Sequence, residues 1–319
     1  MSHFDDVTPA GEGTHVMMSR IQQALDDQLQ RAGAASAPPR LIAAMRHAVF
    51  PGGARIRPQL CLAVAQACGE DAPELTNAAA SAIELLHCAS LVHDDMPCFD
   101  DAATRRGQAA VHAVYGEPLA LLTGDALIVL AYQVLARAGS AHPTRLAGLL
   151  QTISDGVGAP DGIVAGQAWE CETKVSLSQY QRAKTGALFV ASTCAGAQAA
   201  GADPMPWRGL GECLGEAYQV ADDIRDVLLQ SDQLGKPAGQ DVQHGRPSAA
   251  HDLGLADAIH LFRRLMQNAI DSVPDCPSRT AMRQIVLRES ERLMPQSTCE
   301  RAVLEGRIAS APAPLRIAA

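Results

Sequence analysis

Helix-forming residues dominate the chain from about residue 14 to residue 309, and the apolar–polar alternation that marks half-buried strands is nearly absent. The helical runs are punctuated at Pro38-Pro39, Pro51-Gly52-Gly53, Pro97, Gly156 to Gly162, Gly201 to Pro206, Leu234 to Pro247 and Pro274 to Pro277. This pattern predicts an all-α protein of roughly ten or more helices. It predicts one domain over 1–319, with a loose arm over 1–14 and a tail over 310–319. No linker, low-complexity run or fixed-period repeat interrupts it. Pro118 to Ala138 is apolar enough to resemble a membrane span. Gly124, Asp125 and Arg137 break that run, which predicts a buried core helix instead.

Composition narrows the function classes. Apolar residues make up 47% of the chain and aromatics only 3%, so the core is aliphatic and suits closely packed helices. The net charge of −9 argues against a nucleic-acid partner and against stable membrane docking or insertion. The nine cysteines are odd in number and include no Cys-x-x-Cys, so neither a disulfide framework nor a zinc site is expected. No basic region followed by an apolar one opens the chain, and a cytoplasmic protein is expected.

Two acidic clusters carry the candidate chemistry. Ser81 to Asp95 reads as a helix on which Glu84, His87, Leu91 and Asp94 share a face, with Asp95 beside Asp94. Pro97 ends that helix, and Asp100 and Asp101 follow. Four carboxylates thus gather at a helix C-terminus, where the macrodipole disfavours negative charge. Glu212 to Leu229 reads as a second helix, with Gln219, Asp222, Asp223 and Asp226 on one face and Arg225 pointing elsewhere. Two carboxylates about 4 Å apart repel by about 4 kcal/mol at an effective dielectric near 20. An isolated Asp-Asp pair is usually a solvated helix end. Two such clusters in apolar helices need a counter-charge, and oxygen-only sets suit Mg²⁺ that shares phosphate oxygens with a substrate. Two facing acidic walls gripping a metal-bridged diphosphate is the arrangement expected.

These residues resemble the trans-isoprenyl diphosphate synthase family. HDDMPCFDD (His93 to Asp101) looks like its first aspartate-rich motif and YQVADDIRD (Tyr218 to Asp226) like its second. PGGARIRP (Pro51 to Pro58), RRG (Arg105 to Gly107), GDAL (Gly124 to Leu127), GQ (Gly166-Gln167), KTGAL (Lys184 to Leu188) and LGKPAGQD (Leu234 to Asp241) follow in the family's order. The resemblance implies an isoprenoid synthase-type helical bundle around a deep central cavity, usually dimeric. It implies three Mg²⁺ per site, replaceable by Mn²⁺. Their ligands would be Asp94, Asp95 and Asp100, with Asp101 nearby, and Asp222, Asp223 and Asp226. It assigns Arg105, Lys184, Thr185, Gln219 and Lys236 to an allylic diphosphate, and Gly53, Arg55, Arg57, His87 and Arg106 to isopentenyl diphosphate. Ala54 departs from the family pattern, which usually has a lysine there that contacts isopentenyl diphosphate. Taken singly, each of these cations would more often be an ordinary surface residue, and His87 a satisfied core histidine.

The motif run most resembles geranylgeranyl diphosphate synthases of carotenoid-making bacteria, which implies chain elongation to a C20 product. Ala89 and Ser90, one turn below Asp94, are small, and Leu86 and Leu85 lie deeper as a candidate floor for the growing tail. A farnesyl diphosphate synthase is the nearest alternative. A terpene cyclase and a non-catalytic subunit of a heteromeric synthase fit less well, because both Asp motifs and RRG are intact; a His-Asp phosphohydrolase, suggested by His93-Asp94, lacks further histidines at ligand spacing.

Overall fold

The computed structural model describes residues 10–50, 52–173, 176–228, 248–306, 308, 310 and 315–317. The chain runs α1 (Ala10–Ala32), α2 (Pro39–Val49), α3 (Ile56–Ala67), α4 (Pro73–Asp94), then a two-stranded hairpin of β1 (Thr104–Arg105) and β2 (Gln108–Ala109). It continues with α5 (Val111–Tyr115), α6 (Glu117–Gly139), α7 (Pro143–Val157), α8 (Ile163–Ala168), a 3₁₀ turn at Trp169–Cys171, and α9 (Leu177–Gln181). A π-helical turn at Arg182–Gly186 leads into α10 (Ala187–Ala199) and α11 (Met205–Leu228). After residues 229–247, α12 (Ala249–Asp252), α13 (Leu255–Asp271), α14 (Arg279–Leu293) and α15 (Gln296–Leu304) follow.

Prolines start α2, α4, α6 and α7, where a missing N–H costs nothing. α10 is buried along most of its length and touches both apolar clusters of the core. One cluster gathers α4, α6, α7 and α10; the other gathers α3, α11, α13 and α14. Glycine makes the close crossings. A Cβ on Gly196 would fall 2.4 Å from the Cys61 carbonyl of α3, and one on Gly211 would fall 2.6 Å from the Val190 Cα. These two contacts bring α3 and α11 against α10 and so bring the second acidic helix toward the first.

Three expectations change. α1 begins at Ala10, inside the stretch read as a loose arm. Residues 315–317, read as tail, dock on α13: the Gln267 amide nitrogen donates to the Arg316 carbonyl (3.0 Å), and Leu315 and Ile317 pack on the core. The expected buried core helix, α6, buries one face and exposes Leu121, Leu122 and Val129 by 49%, 51% and 55%.

Candidate active site

α4 ends at Asp94, and the next seven residues fold back onto its last turn. The Asp100 N–H donates to the Asp94 carbonyl (3.0 Å), the Asp101 N–H to Met96 (3.1 Å) and the Ala102 N–H to Asp95 (3.1 Å). Asp101 takes the left-handed backbone (φ 46°) that closes this turn, a conformation Asp tolerates through local side-chain bonding. The Asp100 carboxylate therefore returns to Asp94. Glu170, from the 3₁₀ turn after α8, completes a group of three whose ligand oxygens lie within 4.8 Å of one another. Such an oxygen-only donor set fits a hard divalent cation like Mg²⁺. Gln167 steadies it from α8, its amide nitrogen donating to the Ser90 carbonyl (2.9 Å) and to Asp94 Oδ1 (3.3 Å).

Asp95, expected among the metal ligands, is turned the other way. It is buried, and Arg105 Nε (2.8 Å) and Nη2 both donate to its Oδ1. Burial pushes its carboxyl pKa up further than Arg105 pulls it down. Asp95 and Arg105 line a recess on the hairpin side of α4. Asp95 anchors Arg105 rather than joining Asp94 and Asp100. Arg105 pairs with Gln108 across the hairpin, so Arg106 and Gly107 form its two-residue loop, with φ of 53° and 77°. Both loop residues thus have the positive φ of a type I′ turn. The turn, absent from the expected all-helical pattern, aims neighbouring arginines in different directions.

The π turn lies between the two acidic helices. Lys184 Nζ donates to Glu170 and to Asp94 Oδ1 (3.4 Å) on one side. On the other, Thr185 Oγ1 donates to Gln219 Oε1 (2.7 Å) and Gln181 Nε2 to Asp223 Oδ2 (3.5 Å). One short segment thus touches both motifs, and a π-bulge at such a place is typical of functional sites.

The second set is less open than its sequence implies. Asp223 is buried and accepts from Gln219 Nε2 (2.9 Å) and from the Ala249 N–H at the start of α12 (2.7 Å). Arg225, expected to point elsewhere, donates to Asp222 Oδ1. Asp226 is half-buried on the same helix.

A third group is cationic. Arg57 Nη1 (3.4 Å) and Arg106 Nη2 (3.3 Å) both approach His87 Nε2. Burial first, then Arg57 and Arg106, hold the His87 pKa well below its usual value, so the neutral ring accepts from both arginines. Arg57 also stacks 4.4 Å above the Phe189 ring, which contacts Tyr218 at 4.5 Å. Tyr218 donates to Glu289 (2.7 Å) and accepts from Arg292 (2.5 Å). A Cβ on Gly53 would fall 2.9 Å from the Arg106 guanidinium, so a larger residue there would push that guanidinium aside. Arg55, expected on a substrate, is instead buried against Glu84 and the Val49 carbonyl.

Linkage gives this histidine a testable sign. A pKa lowered by folding means that the unfolded chain binds the proton more readily, so stability falls as pH drops below about 6.5. The drop in melting temperature between pH 7.5 and pH 5.5 is expected to be smaller in His87→Asn than in the wild type. An equal drop in both proteins rejects the neutral-acceptor reading.

The polyprenyl synthetase family model matches residues 38–281, most of the chain and all three of these groups. The chain belongs to the polyprenyl synthetase family. A geranylgeranyl diphosphate synthase of Cereibacter sphaeroides is 50% identical over 282 residues, 88% of this chain and 98% of that protein. One from Rhodobacter capsulatus is 47% identical over 86% of this chain and 95% of that protein. Among solved structures, an FPP/GFPP synthase from Zymomonas mobilis aligns with TM-score 0.75 at 29% identity, covering 88% of this chain and all of that one. A Helicobacter pylori geranyltransferase complexed with magnesium and isoprenyl diphosphate aligns with TM-score 0.73 at 27% identity, covering 92% and 98%.

In this polyprenyl synthetase, Asp94 and Asp100 meet, Lys184 and Thr185 lie between the acidic helices, and Arg57, His87 and Arg106 cluster. Ala89 and Leu86 pack within the core cluster shared with α6, and Ser90 turns its carbonyl to Gln167. Lys236 and the rest of its motif lie outside the described residues. Glu170, Tyr180 and Phe189 were not anticipated. The one available signal was an acid three residues after Gln167, a helical spacing that puts both on one face.

Proposed function

We propose that this polyprenyl synthetase condenses isopentenyl diphosphate with dimethylallyl, geranyl and farnesyl diphosphates to give geranylgeranyl diphosphate. The reading is carried by one observation: a carboxylate group fit for divalent cations and a cluster of neutral histidine with two arginines share the α4 helix. Asp94, Asp100 and Glu170 on one side, and Asp222, Asp223 and Asp226 on the other, would hold three Mg²⁺, with Mn²⁺ as a substitute. Mg²⁺, when bound, neutralises the allylic diphosphate and makes it a leaving group. Arg105, held by Asp95, and Lys184 and Lys236 take up charge as the carbon–oxygen bond breaks. Thr185 and Gln219 orient that diphosphate. Arg57, Arg106 and His87, with Gly53, hold isopentenyl diphosphate so that its double bond faces the allylic carbon. Its electrons form the new carbon–carbon bond, and a proton is then lost to the departing diphosphate. Apolar walls exclude water, which would otherwise quench the cation.

Purified protein supplied with Mg²⁺, isopentenyl diphosphate and each starter is expected to yield the C20 diphosphate by mass spectrometry. A C15 end product would make it a farnesyl diphosphate synthase, and a cyclic hydrocarbon would reject the class. Product length is tested separately. Ala89 is 1% exposed, so Ala89→Tyr costs about 1–3 kcal/mol of overpacking. It is expected to shift the product toward C15 while lowering the melting temperature. Unchanged products from folded Ala89→Tyr reject Ala89 as a wall of the tail pocket.

We also propose a cytoplasmic homodimer. The exposed apolar stripe of Leu121, Leu122 and Val129 on α6 supports a self-association face. Sedimentation as a monomer at micromolar concentration would reject it.

A further inference from the structure

The metal-binding group described above contains a cation of its own. Lys184 Nζ is paired with Glu170 and lies 3.4 Å from Asp94 Oδ1, two of the three carboxylates that gather within 4.8 Å. Mg²⁺ takes oxygens at about 2.1 Å in an octahedron, which sets neighbouring ligand oxygens about 3 Å apart and opposite ones about 4.2 Å apart. The three oxygens already lie within 4.8 Å of one another, and a bound ion would draw them closer. The ammonium, however, is bonded to two of them and competes for the same lone pairs.

Its surroundings brace both its main chain and the carboxylates it touches. A Cβ on Gly166 would fall 2.3 Å from the Lys184 backbone nitrogen, so α8 sits directly on the Lys184 main chain. Tyr180 donates to Glu170 Oε1 (2.6 Å), and Gln167 holds Asp94. The backbone and both carboxylates are therefore braced, and the ammonium reaches them on a flexible four-carbon stem. Residue choice points the same way. The chain has three lysines (Lys174, Lys184 and Lys236) among 26 basic residues, which leaves 23 arginines. An arginine here would grip a carboxylate with a planar fork, whereas an ammonium on a flexible stem lets go.

We infer that Lys184 is a resident counter-ion latched to Glu170 and Asp94 in the metal-free protein, released when a divalent cation occupies Asp94, Asp100 and Glu170. Release frees the ammonium for the diphosphate that arrives with the metal. Glu170 and Tyr180 act as positioning residues that dock the lysine between turnovers. The inference rests on the proposed use of this group as the metal site.

Two measurements without substrate test it. In the wild type, amine acylation mapped by peptide mass spectrometry is expected to find Lys184 protected without metal and labelled several-fold faster with Mg²⁺ alone. Inorganic pyrophosphate added with Mg²⁺ is expected to restore protection. Labelling indifferent to Mg²⁺ overturns the latch, and needs no variant. In Mn²⁺ titrations followed by electron paramagnetic resonance, Lys184→Gln is expected to bind metal about 10-fold tighter than wild type, a usual size for coupled sites. Lys184→Arg is expected to bind it more weakly than wild type. Equal or weaker binding in Lys184→Gln overturns the latch. The proposed synthase activity is read independently, by C20 product from wild type with Mg²⁺. A protein that makes that product yet fails both metal tests rejects the latch alone.

Discussion

Asp94→Ala is expected to lower turnover by on the order of 10³-fold or more, since electrostatic stabilisation of a developing anion is usually the largest catalytic contribution. Asp94 is where the site converges: Gln167 and Lys184 both donate to it, and Asp100 and Glu170 meet it within metal-ligand reach. Its removal takes an oxygen from the cation group and leaves Lys184 attached to Glu170 alone. Asp95→Asn is expected to cost less, about 10–100-fold, as for groups that orient a ligand from behind. Its carboxylate fixes Arg105 and is not among the three that gather as candidate metal ligands. The two variants are compared by steady-state kinetics at saturating Mg²⁺, with products identified by mass spectrometry. A loss in Asp95→Asn as large as that in Asp94→Ala would give both aspartates the same role and contradict the geometry.

That contrast marks how far the sequence could be read. The two acidic helices follow from spacing alone, because residues three and four apart share a helix face whatever the tertiary context. The loops follow from Pro and Gly, which constrain backbone locally. What a carboxylate does once on that helix depends on partners distant in sequence. Asp95 turns to Arg105, brought back by a hairpin whose positive-φ loop has Arg rather than Asn at its first position. Asp223 is buried by the Ala249 N–H, 26 residues on. Glu170 joins Asp94 across 76 positions because α8 is seated on Lys184 through Gly166. The cation cluster was legible as residues but not as a mechanism. Nothing local indicated that His87 would be neutral, or that Arg57 would rest on Phe189. Tail docking was invisible for the same reason: residues 315–317 are fixed by Gln267, not by their own propensity.

Glu84→Ala is expected to destabilise the protein by about 3–5 kcal/mol, the usual cost of removing one partner from a buried ion pair. With an unfolding entropy of about 2 cal/mol/K per residue, that corresponds to about 5–7 °C in melting temperature. Arg55 and Glu84 are 3% and 2% exposed, so the arginine is buried away from bulk solvent that could replace its carboxylate. Burial depresses the Arg55 guanidinium pKa, and Glu84, with a further contribution from Cys88, more than restores it. Arg55 also holds a left-handed backbone (φ 51°), a strain of about 1–3 kcal/mol that only strong side-chain anchoring sustains. Its guanidinium occupies the space beside Gly52, where a Cβ would fall 2.1 Å from Nη2. Loosening it therefore releases the Gly52-Gly53 turn that leads to Arg57 and faces Arg106. The Michaelis constant for isopentenyl diphosphate should rise in Glu84→Ala, while that for the allylic substrate, assigned also to Lys184, Thr185 and Gln219, should rise less. Arg55→Met combined with Glu84→Met should recover part of the stability, because an apolar pair leaves no buried charge. Recovery will be incomplete, since the Val49 carbonyl loses the donor it has in Arg55. Melting of Glu84→Ala within 2 °C of wild type, or equal rises in both Michaelis constants, would sink this account of the pair.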